Sequence, residues 1–286
     1  MPKRDSKSSR DGGNDRRPAD DLTTERLRRH LEFLGLTLTL DELDERLAWA
    51  TRERPGATAL LEHVLGVEAA HKLEKRIARR IDSSGLVERK VLEAFEWNFQ
   101  PKLDKALVIE LARLDFVRRH DDLVITGKSG TGKSHILTAI AIRACQAGLT
   151  VRFARFADVL AEFHAGLADG SYERRLRRFC GIEFLVLDDV GLGQVPPQPD
   201  APTAAHMLFN LIDLRHQRGS TAITSNIKLS AWGKYLGDAT VTAAILDRLA
   251  MTAIRLDIDG PSYRQHLAHQ RAEPVESDAE PEPNPA

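Results

Sequence analysis

The octet GKSGTGKS (127–134) follows the apolar run LVIT (123–126) and opens a helical pattern. Its three glycines can adopt left-handed backbone angles that other residues rarely reach. Such a loop turns backbone N–H groups inward, and the helix that follows adds the partial positive charge of its N-terminus. This order of strand, loop and helix constrains the fold more than any other feature, since it predicts a βα unit with an anion site at the junction.

The octet also matches the GxxxxGKS pattern in its required context. That pattern predicts a loop for a nucleotide polyphosphate, with Lys133 on the β- and γ-phosphates and the Ser134 hydroxyl on Mg²⁺. A glycine-rich turn without a ligand is the weaker interpretation, because the octet is complete. The predicted nucleotide-binding residues are Gly127, Lys128, Ser129, Gly130, Thr131, Gly132, Lys133, Ser134 and His135.

Short apolar runs alternate with helical patterns after residue 97. Fully apolar strands in such an alternation predict a parallel sheet between helices. Crossover connections then place the carboxyl ends of all strands at one edge, where ligands bind. The further runs are TVRFA (150–154), FLVL (184–187), TAITSN (221–226) and AIRLDI (253–258), and the helical patterns cover 133–147, 157–168, 171–179, 202–217 and 241–249.

The sequence before residue 97 predicts helices. Leucines recur at helical spacing in 27–34 and 40–47, and Leu73, Ile77 and Ile81 predict the core-facing side of a third helix. The expected organisation is a disordered tail (1–20), a small all-helical domain (21–95), the α/β domain (96–268) and an acidic disordered tail (269–286).

Charge is balanced overall, with 41 Lys and Arg against 42 Asp and Glu. That balance at first argues against a nucleic-acid partner. However, residues 272–286 carry five acidic side chains and no basic one, so the remaining chain is weakly basic. The two cysteines, Cys145 and Cys180, form no CxxC pattern, which fits a reducing cytoplasmic compartment. We expect no signal peptide and no membrane-spanning segment.

Two carboxylates follow the run FLVL. Asp188 stands where a Mg²⁺-holding carboxylate of a nucleotide site is expected. Asp189 takes the place of a general base that is usually Glu, and its side chain is one methylene shorter. A simple strand-ending turn remains the alternative for Asp188-Asp189.

Three further polar residues are candidates for the same site. Asn226, at the end of TAITSN, could hydrogen-bond the γ-phosphate or the attacking water, although Ser-Asn also begins turns. Arg248 and Arg264 could stabilise charge on a transferring phosphoryl group, in cis or in trans. For both arginines a surface salt bridge is the competing interpretation.

Taken in order, GKSGTGKSH, FLVLDDVG, TAITSN, GDATVTAAILDRLAM and GPSYR closely resemble the IstB-type helper ATPases of insertion-sequence transposition, relatives of the DnaC helicase loader. The segment NFQPKLDKALVIELARLDFVRR (98–119) is similar too, and the resemblance covers about residues 21–268. It implies an AAA+ fold, ATP with Mg²⁺, ATP-dependent self-assembly, duplex DNA and a cognate transposase. The resemblance implies that Asn226 is the sensor I residue and that Arg248 is an arginine finger, which contacts the ATP of a neighbouring subunit. It also makes Arg264 a candidate for the sensor II residue.

The sequence departs from this family pattern in three places. Asp189 replaces the usual Glu, which bears on the hydrolysis rate. The loop at 191–202 is long and rich in proline, and the charged tails have no role that the family assigns.

Two basic clusters are candidates for DNA contact through phosphates. A solvated helix face is the alternative for each. Aromatic residues make up 6% of the chain, which argues against base stacking on single strands. The clusters are Lys72, Arg76, Arg79 and Arg80, and Arg174, Arg175, Arg177 and Arg178.

Three other functions use the same loop. A DnaC-like helicase loader shares the ATPase motifs, and the IstB-like helices at 22–95 favour the transposition helper instead. A small-molecule kinase needs a lid over the nucleotide, and little chain follows the last predicted strand to form one. An ATP switch without hydrolysis would fit Asp189, and DNA-stimulated phosphate release would exclude it.

Overall fold

The computed structural model describes residues 18–193 and 201–272. Most of the two predicted tails, and part of the predicted loop 191–202, lie outside these ranges. The chain forms two compact units, the first ending at Arg76 and the second beginning at Ile77.

The first unit is helical, as the leucine spacing predicts. Its core includes Leu31 and Leu43, and the buried Glu68 carboxylate accepts hydrogen bonds from the backbone N–H groups of Leu38 and Thr39. Leu73 is 53% exposed, so its predicted place in the core is wrong. At this position along the helix, the side that carries Leu73 faces solvent. The helices are α1 (Pro18–Phe33), α2 (Thr37–Asp41), α3 (Leu43–Glu53) and α4 (Ala57–Ser83), the last of which continues into the second unit.

The second unit is built on five parallel strands, as predicted. The strands at the centre of the sheet are almost entirely buried, because helices cover both faces. Their bounds are β1 (Asp122–Gly127), β2 (Val151–Arg155), β3 (Phe184–Val190), β4 (Ser220–Ser225) and β5 (Ala253–Ile258), in the spatial order β2-β3-β4-β1-β5.

The helices between the strands lie within a few residues of their predicted positions. A further helix follows the last strand and continues past 268 into the predicted disordered tail, as far as Ala272. The helices of this unit are α5 (Lys105–Leu111), α6 (Asp115–Arg118), α7 (Lys133–Gln146), α8 (Phe156–Ala168), α9 (Tyr172–Cys180), α10 (Ala204–Arg215), α11 (Trp232–Leu236), α12 (Ala239–Thr252) and α13 (Tyr263–Ala272).

Residues 77–95 pack with the sheet unit. Ile81, Leu92 and Phe95 are buried in the same core as β1 and α7. The Phe153 N–H of β2 also donates to the Ser84 carbonyl at 2.7 Å. The division between the units therefore comes earlier than the predicted domain boundary after residue 95.

The sheet order brings the predicted site residues together. β3, β4 and β1 are neighbours, so their carboxyl ends meet at one edge. The glycine-rich loop follows β1, while Asp188 and Asp189 lie in β3 and Asn226 follows β4. Among the described helices, none is long and apolar enough to cross a membrane.

Candidate nucleotide-binding site

The glycines of the loop are required by both backbone angle and space. Gly130 and Gly132 have φ angles of +82° and +99°. A Cβ on Gly130 would lie 2.1 Å from the Ser262 hydroxyl oxygen, and one on Gly132 would lie 2.6 Å from a ring carbon of Phe95. The loop is thus a tight cradle of backbone at the N-terminus of α7, where its N–H groups favour an anion.

Lys133 is the first residue of α7 and is 4% exposed. Its Nζ donates to the carbonyls of Gly127 and Lys128, each at 2.8 Å. Burial lowers the pKa of the Lys133 ammonium, while the nearby carboxylates of Asp189 and Asp188 raise it. The loop carbonyls therefore hold the Lys133 ammonium within the cleft that the loop lines.

Ser134 and Asp188 form a hydroxyl–carboxylate pair. The Ser134 hydroxyl donates to Asp188 Oδ1 at 2.9 Å, and the Thr224 hydroxyl of β4 donates to the same oxygen at 2.6 Å. Burial raises the pKa of the Asp188 carboxyl, although these two hydrogen bonds and the Lys133 charge oppose the rise. Hard oxygen donors beside a phosphate cradle suit Mg²⁺, so Ser134 and Asp188 fit the metal predicted for them.

Asp189 and Asn226 form a second polar pair at the strand ends. The Asn226 amide donates to Asp189 Oδ1 at 3.1 Å, and the Asp189 N–H donates to the Thr224 hydroxyl at 2.8 Å. Asp189 has a φ of +62°, a left-handed conformation that Asp tolerates better than most residues. Both side chains line the cleft that contains Lys133 and Ser134. The pair can thus hold and orient a water molecule next to a bound phosphate.

The structure also places aromatic and amide residues in the cleft that the motifs did not single out. Phe95, Phe99 and Tyr263 line it, and the rings of Phe99 and Tyr263 lie 5.1 Å apart. Such rings offer an apolar surface for a nucleotide base. They come from a short irregular segment and from the start of α13, where no spacing rule identifies site residues.

Gln100 is a further missed residue. Its side chain is buried, and its Nε2 donates to the Pro261 carbonyl at 2.9 Å. Two residues later, the Tyr263 N–H donates to the Gly130 carbonyl at 2.9 Å. Gln100 and the glycine-rich loop together fix the start of α13, which carries Arg264 into the cleft lining.

His135 and the two arginines occupy different surroundings. His135 lines the cleft, where its Nε2 lies 2.9 Å from the Val91 carbonyl and its ring packs edge-on against Phe95. Arg264 is exposed in the cleft lining, and it has no ion pair within 18–193 and 201–272. Arg248 lies outside that lining and forms an ion pair with Asp213 of α10.

The predicted DNA-contact residues divide between the two units. Lys72 and Arg76 belong to the first unit, and the Lys72 ammonium lies 3.9 Å from the Glu68 carboxylate. In the second unit Arg175 pairs with Asp169 at 2.7 Å, and Arg178 pairs with Glu162. The other members of the clusters form no ion pair with a described residue: Arg76, Arg79, Arg80, Arg174 and Arg177.

The fold and this cleft define an AAA+ nucleotide-binding protein. The crystal structure of DnaI superimposes with a TM-score of 0.50 at 19% identity, over 60% of this chain and 92% of that chain. AMPPCP-bound DnaA from Aquifex aeolicus gives 0.50 at 18% identity, over 68% and 58% of the two chains. At such identities the likeness establishes the fold.

The sequence comparisons establish the family. The chain belongs to the IstB-like ATP binding proteins, whose family pattern matches residues 29–271. It is 32% identical over 82% of its length to "Putative insertion sequence ATP-binding protein y4pL" of Sinorhizobium fredii, covering 94% of that protein. It is also 32% identical over 67% of its length to "Insertion sequence IS21 putative ATP-binding protein" of Pseudomonas aeruginosa, covering 70% of it. The family resemblance drawn from the motifs is therefore confirmed.

Proposed function

We propose that this protein is an ATP-hydrolysing helper of DNA transposition, which assembles on duplex DNA in the presence of ATP and regulates a partner transposase. The observation that carries the proposal is the family match at 29–271, which takes in most of the helical first unit as well as the ATP-binding unit. The two relatives described above are both named as insertion-sequence ATP-binding proteins.

The cleft supplies groups for each part of hydrolysis. The loop amides and Lys133 would hold the phosphates, and Ser134 with Asp188 would hold Mg²⁺, whose positive charge would lower the barrier to phosphoryl transfer. Asp189 orients the attacking water as base, and Asn226 fixes the Asp189 carboxylate through their 3.1 Å hydrogen bond. Arg264 faces the same space. Arg248 lies outside the cleft lining, and by the family resemblance it acts on the ATP of a neighbouring subunit.

The hydrolysing protein is preferred to an ATP switch because of the Asp189–Asn226 pair. A shorter carboxylate reaches less far than Glu, and here the amide of the next strand holds it in place at the cleft wall. Proximity and orientation of this kind lower the barrier to attack by water, even though the base is Asp and not Glu.

The decisive experiment measures phosphate release by the full chain with and without duplex DNA. Turnover that duplex DNA stimulates supports a DNA-dependent ATPase, and electron microscopy of the same mixture with an ATP analogue reports the assembly. Absence of turnover under both conditions contradicts hydrolysis.

A helicase loader is the alternative within the same fold, which DnaI shares at a TM-score of 0.50. Affinity capture with the cognate transposase and with a hexameric replicative helicase, in parallel, separates the two functions. Capture of the helicase alone contradicts a transposition helper.

A further inference from the structure

Three arginines from separate parts of the second unit line one groove. Arg80 comes from the end of α4, Arg152 from the start of β2 and Arg178 from α9. Val151, Phe179 and Ile182 also line the groove. The fold thus joins two helices that the sequence presents as separate clusters, and it adds Arg152 between them. We call this feature the arginine groove.

The charge of the arginine groove is only partly balanced. Arg178 pairs with Glu162, whereas Arg80 and Arg152 have no ion-pair partner in the described part of the chain. The Glu183 carboxylate accepts hydrogen bonds from the N–H and the hydroxyl of Thr150, a groove residue, and it forms no ion pair with any arginine that the structure describes. Two guanidinium groups without an ion-pair partner among the described residues thus line the groove, and their positive charge stabilises an anion there.

The surface beside the groove extends this positive charge. Arg174 and Arg177 are exposed on α9, and they line a neighbouring depression that shares Arg178 with the groove. The cations are all arginines, whose planar forks match phosphate oxygens in a bidentate manner. A row of arginines suits a ligand with several phosphates in sequence.

The groove offers no platform for unstacked bases. Phe179, its aromatic residue, is 2% exposed and packs inside the core beside Phe163. Proteins that bind single strands combine positive charge with exposed aromatic rings. Positive charge without such rings favours the backbone of a duplex.

The groove and the nucleotide cleft lie at opposite edges of the sheet. Thr150, Val151 and Ile182 precede or begin strands, so the groove is at the amino ends, whereas the cleft is at the carboxyl ends. A strand of five to seven residues spans roughly 20 Å. We therefore expect substitutions in the groove to leave the nucleotide cleft intact.

From these observations we infer that the arginine groove binds consecutive phosphates of duplex DNA through Arg80, Arg152 and Arg178. This inference rests on the proposed function, because it locates the DNA contact which that function requires.

The test measures binding of a fluorescein-labelled duplex to the full chain by fluorescence anisotropy across a salt series, with an ATP analogue present. Arg80→Ala and Arg152→Ala should each weaken binding several-fold. Each should also reduce the slope of log affinity against log salt by about one for every subunit in contact. Arg152→Lys keeps the charge and should restore most of the slope.

Arg255→Ala is the matched control. Arg255 is an exposed arginine on β5, which lies at the other end of the strand order from β2, the strand that carries Arg152. This variant should leave duplex affinity and salt slope unchanged. Thermal unfolding and ATP binding of every variant confirm that the fold and the cleft are intact.

The outcomes separate the groove from the function on which it rests. A wild-type chain that binds no duplex overturns the DNA part of the proposed function and the groove with it. Wild-type binding that neither Arg80→Ala nor Arg152→Ala weakens overturns the groove alone, as does a preference for single strands over duplex.

Discussion

The Asn226 amide donates a hydrogen bond to the Asp189 carboxylate across the ends of two neighbouring strands, with 3.1 Å between Nδ2 and Oδ1. The bond leaves the second carboxylate oxygen of Asp189 available to a water molecule. Because Asp is shorter than Glu, the position of this oxygen depends on the partner that holds it. We therefore expect the pair to act as one unit, so that loss of either member slows the chemical step.

Asp189→Asn should lower kcat for ATP hydrolysis by at least about 100-fold, because the base is lost. ATP affinity should stay within about threefold of wild type. Asn tolerates the φ of +62° at this position, so the backbone is retained. Steady-state phosphate release and equilibrium binding of an ATP analogue measure the two effects.

Asn226→Ala should lower kcat by about 10-fold or more with a similarly small effect on binding. Asn210→Ala provides the control, since Asn210 is exposed on α10 and lies outside the cleft lining. Equal turnover in Asn226→Ala and wild type would show that the amide does not orient the carboxylate.

Lys133→Ala should abolish ATP binding and ATP-dependent assembly, because it removes the cation that the loop holds. We expect an affinity loss of at least about 100-fold. Isothermal titration and analytical ultracentrifugation with an ATP analogue test both effects. Lys234→Ala, an exposed lysine of α11 outside the cleft lining, should behave as wild type. Oligomers of Lys133→Ala in ATP that match those of wild type would refute the role.

Asp188→Asn should stabilise the ligand-free protein while it removes Mg²⁺-dependent ATP binding. The native pKa of Asp188 is raised above the ordinary 3.8 because burial disfavours the charged form. Ionisation of this carboxyl therefore costs stability at pH values above its native pKa. The amide oxygen of Asn still accepts from Ser134 and Thr224, so their hydrogen bonds survive the substitution.

The sign of this effect sets its pH dependence. The stability advantage of Asp188→Asn should be largest near neutral pH, shrink as the pH falls through the native pKa, and vanish below 3.8. Thermal unfolding from pH 7 downwards measures it. Addition of Mg²⁺ and ATP should raise the Tm of wild type but not that of Asp188→Asn. A variant that is less stable than wild type at neutral pH would contradict the argument.

Gln100→Ala should raise the KM for ATP several-fold with a smaller change in kcat, because α13 loses one of its two anchors near the loop. The partly buried hydrogen bond from Gln100 to the Pro261 carbonyl is also lost, which costs about 0.5–1.5 kcal/mol of stability. Gln265→Ala, an exposed glutamine of α13, should change neither quantity. A loss of stability without a change in KM would make Gln100 a purely structural residue.

The sequence alone supports a detailed account of the fold and of the site's centre. The sheet, the loop after β1 and the carboxylates of β3 were predictable because apolar strands and a contiguous octet are local signals. The sheet order then brings Asp188 within hydrogen-bond reach of Ser134. That meeting follows from the general rule that carboxyl ends of parallel strands share an edge.

Other parts of the site depend on contacts between distant residues and could not be predicted. Gln100 meets Pro261 across 161 positions of the chain, and no spacing pattern reports such a contact. Arg152 belongs to a strand, and its nearest basic neighbour in the sequence is Arg155, three positions further on, so it carries no cluster signal. The start of the second unit at Ile77 was equally hidden, because α4 continues across the division without a break.

Arg248→Ala should leave ATP binding intact and reduce hydrolysis by the assembled protein by about 10³-fold, if the arginine acts on a neighbouring subunit's ATP. Within its own subunit Arg248 pairs with Asp213 and lies over the Phe209 ring at 5.6 Å. Its side chain is 31% exposed, so loss of this pair costs at most about 1 kcal/mol. Steady-state hydrolysis at concentrations that support assembly measures the effect.

Asp213→Ala is the matched control for this prediction, because it breaks the same ion pair and leaves the arginine in place. Hydrolysis by Asp213→Ala at or above the wild-type rate, together with its loss in Arg248→Ala, assigns the effect to the guanidinium and not to the pair. Equal losses in both variants would make Arg248 structural. A mixture of Arg248→Ala and Lys133→Ala chains should regain activity, since a subunit that binds ATP then meets a neighbour with an intact arginine. Mixed assemblies as inactive as their components would contradict action in trans.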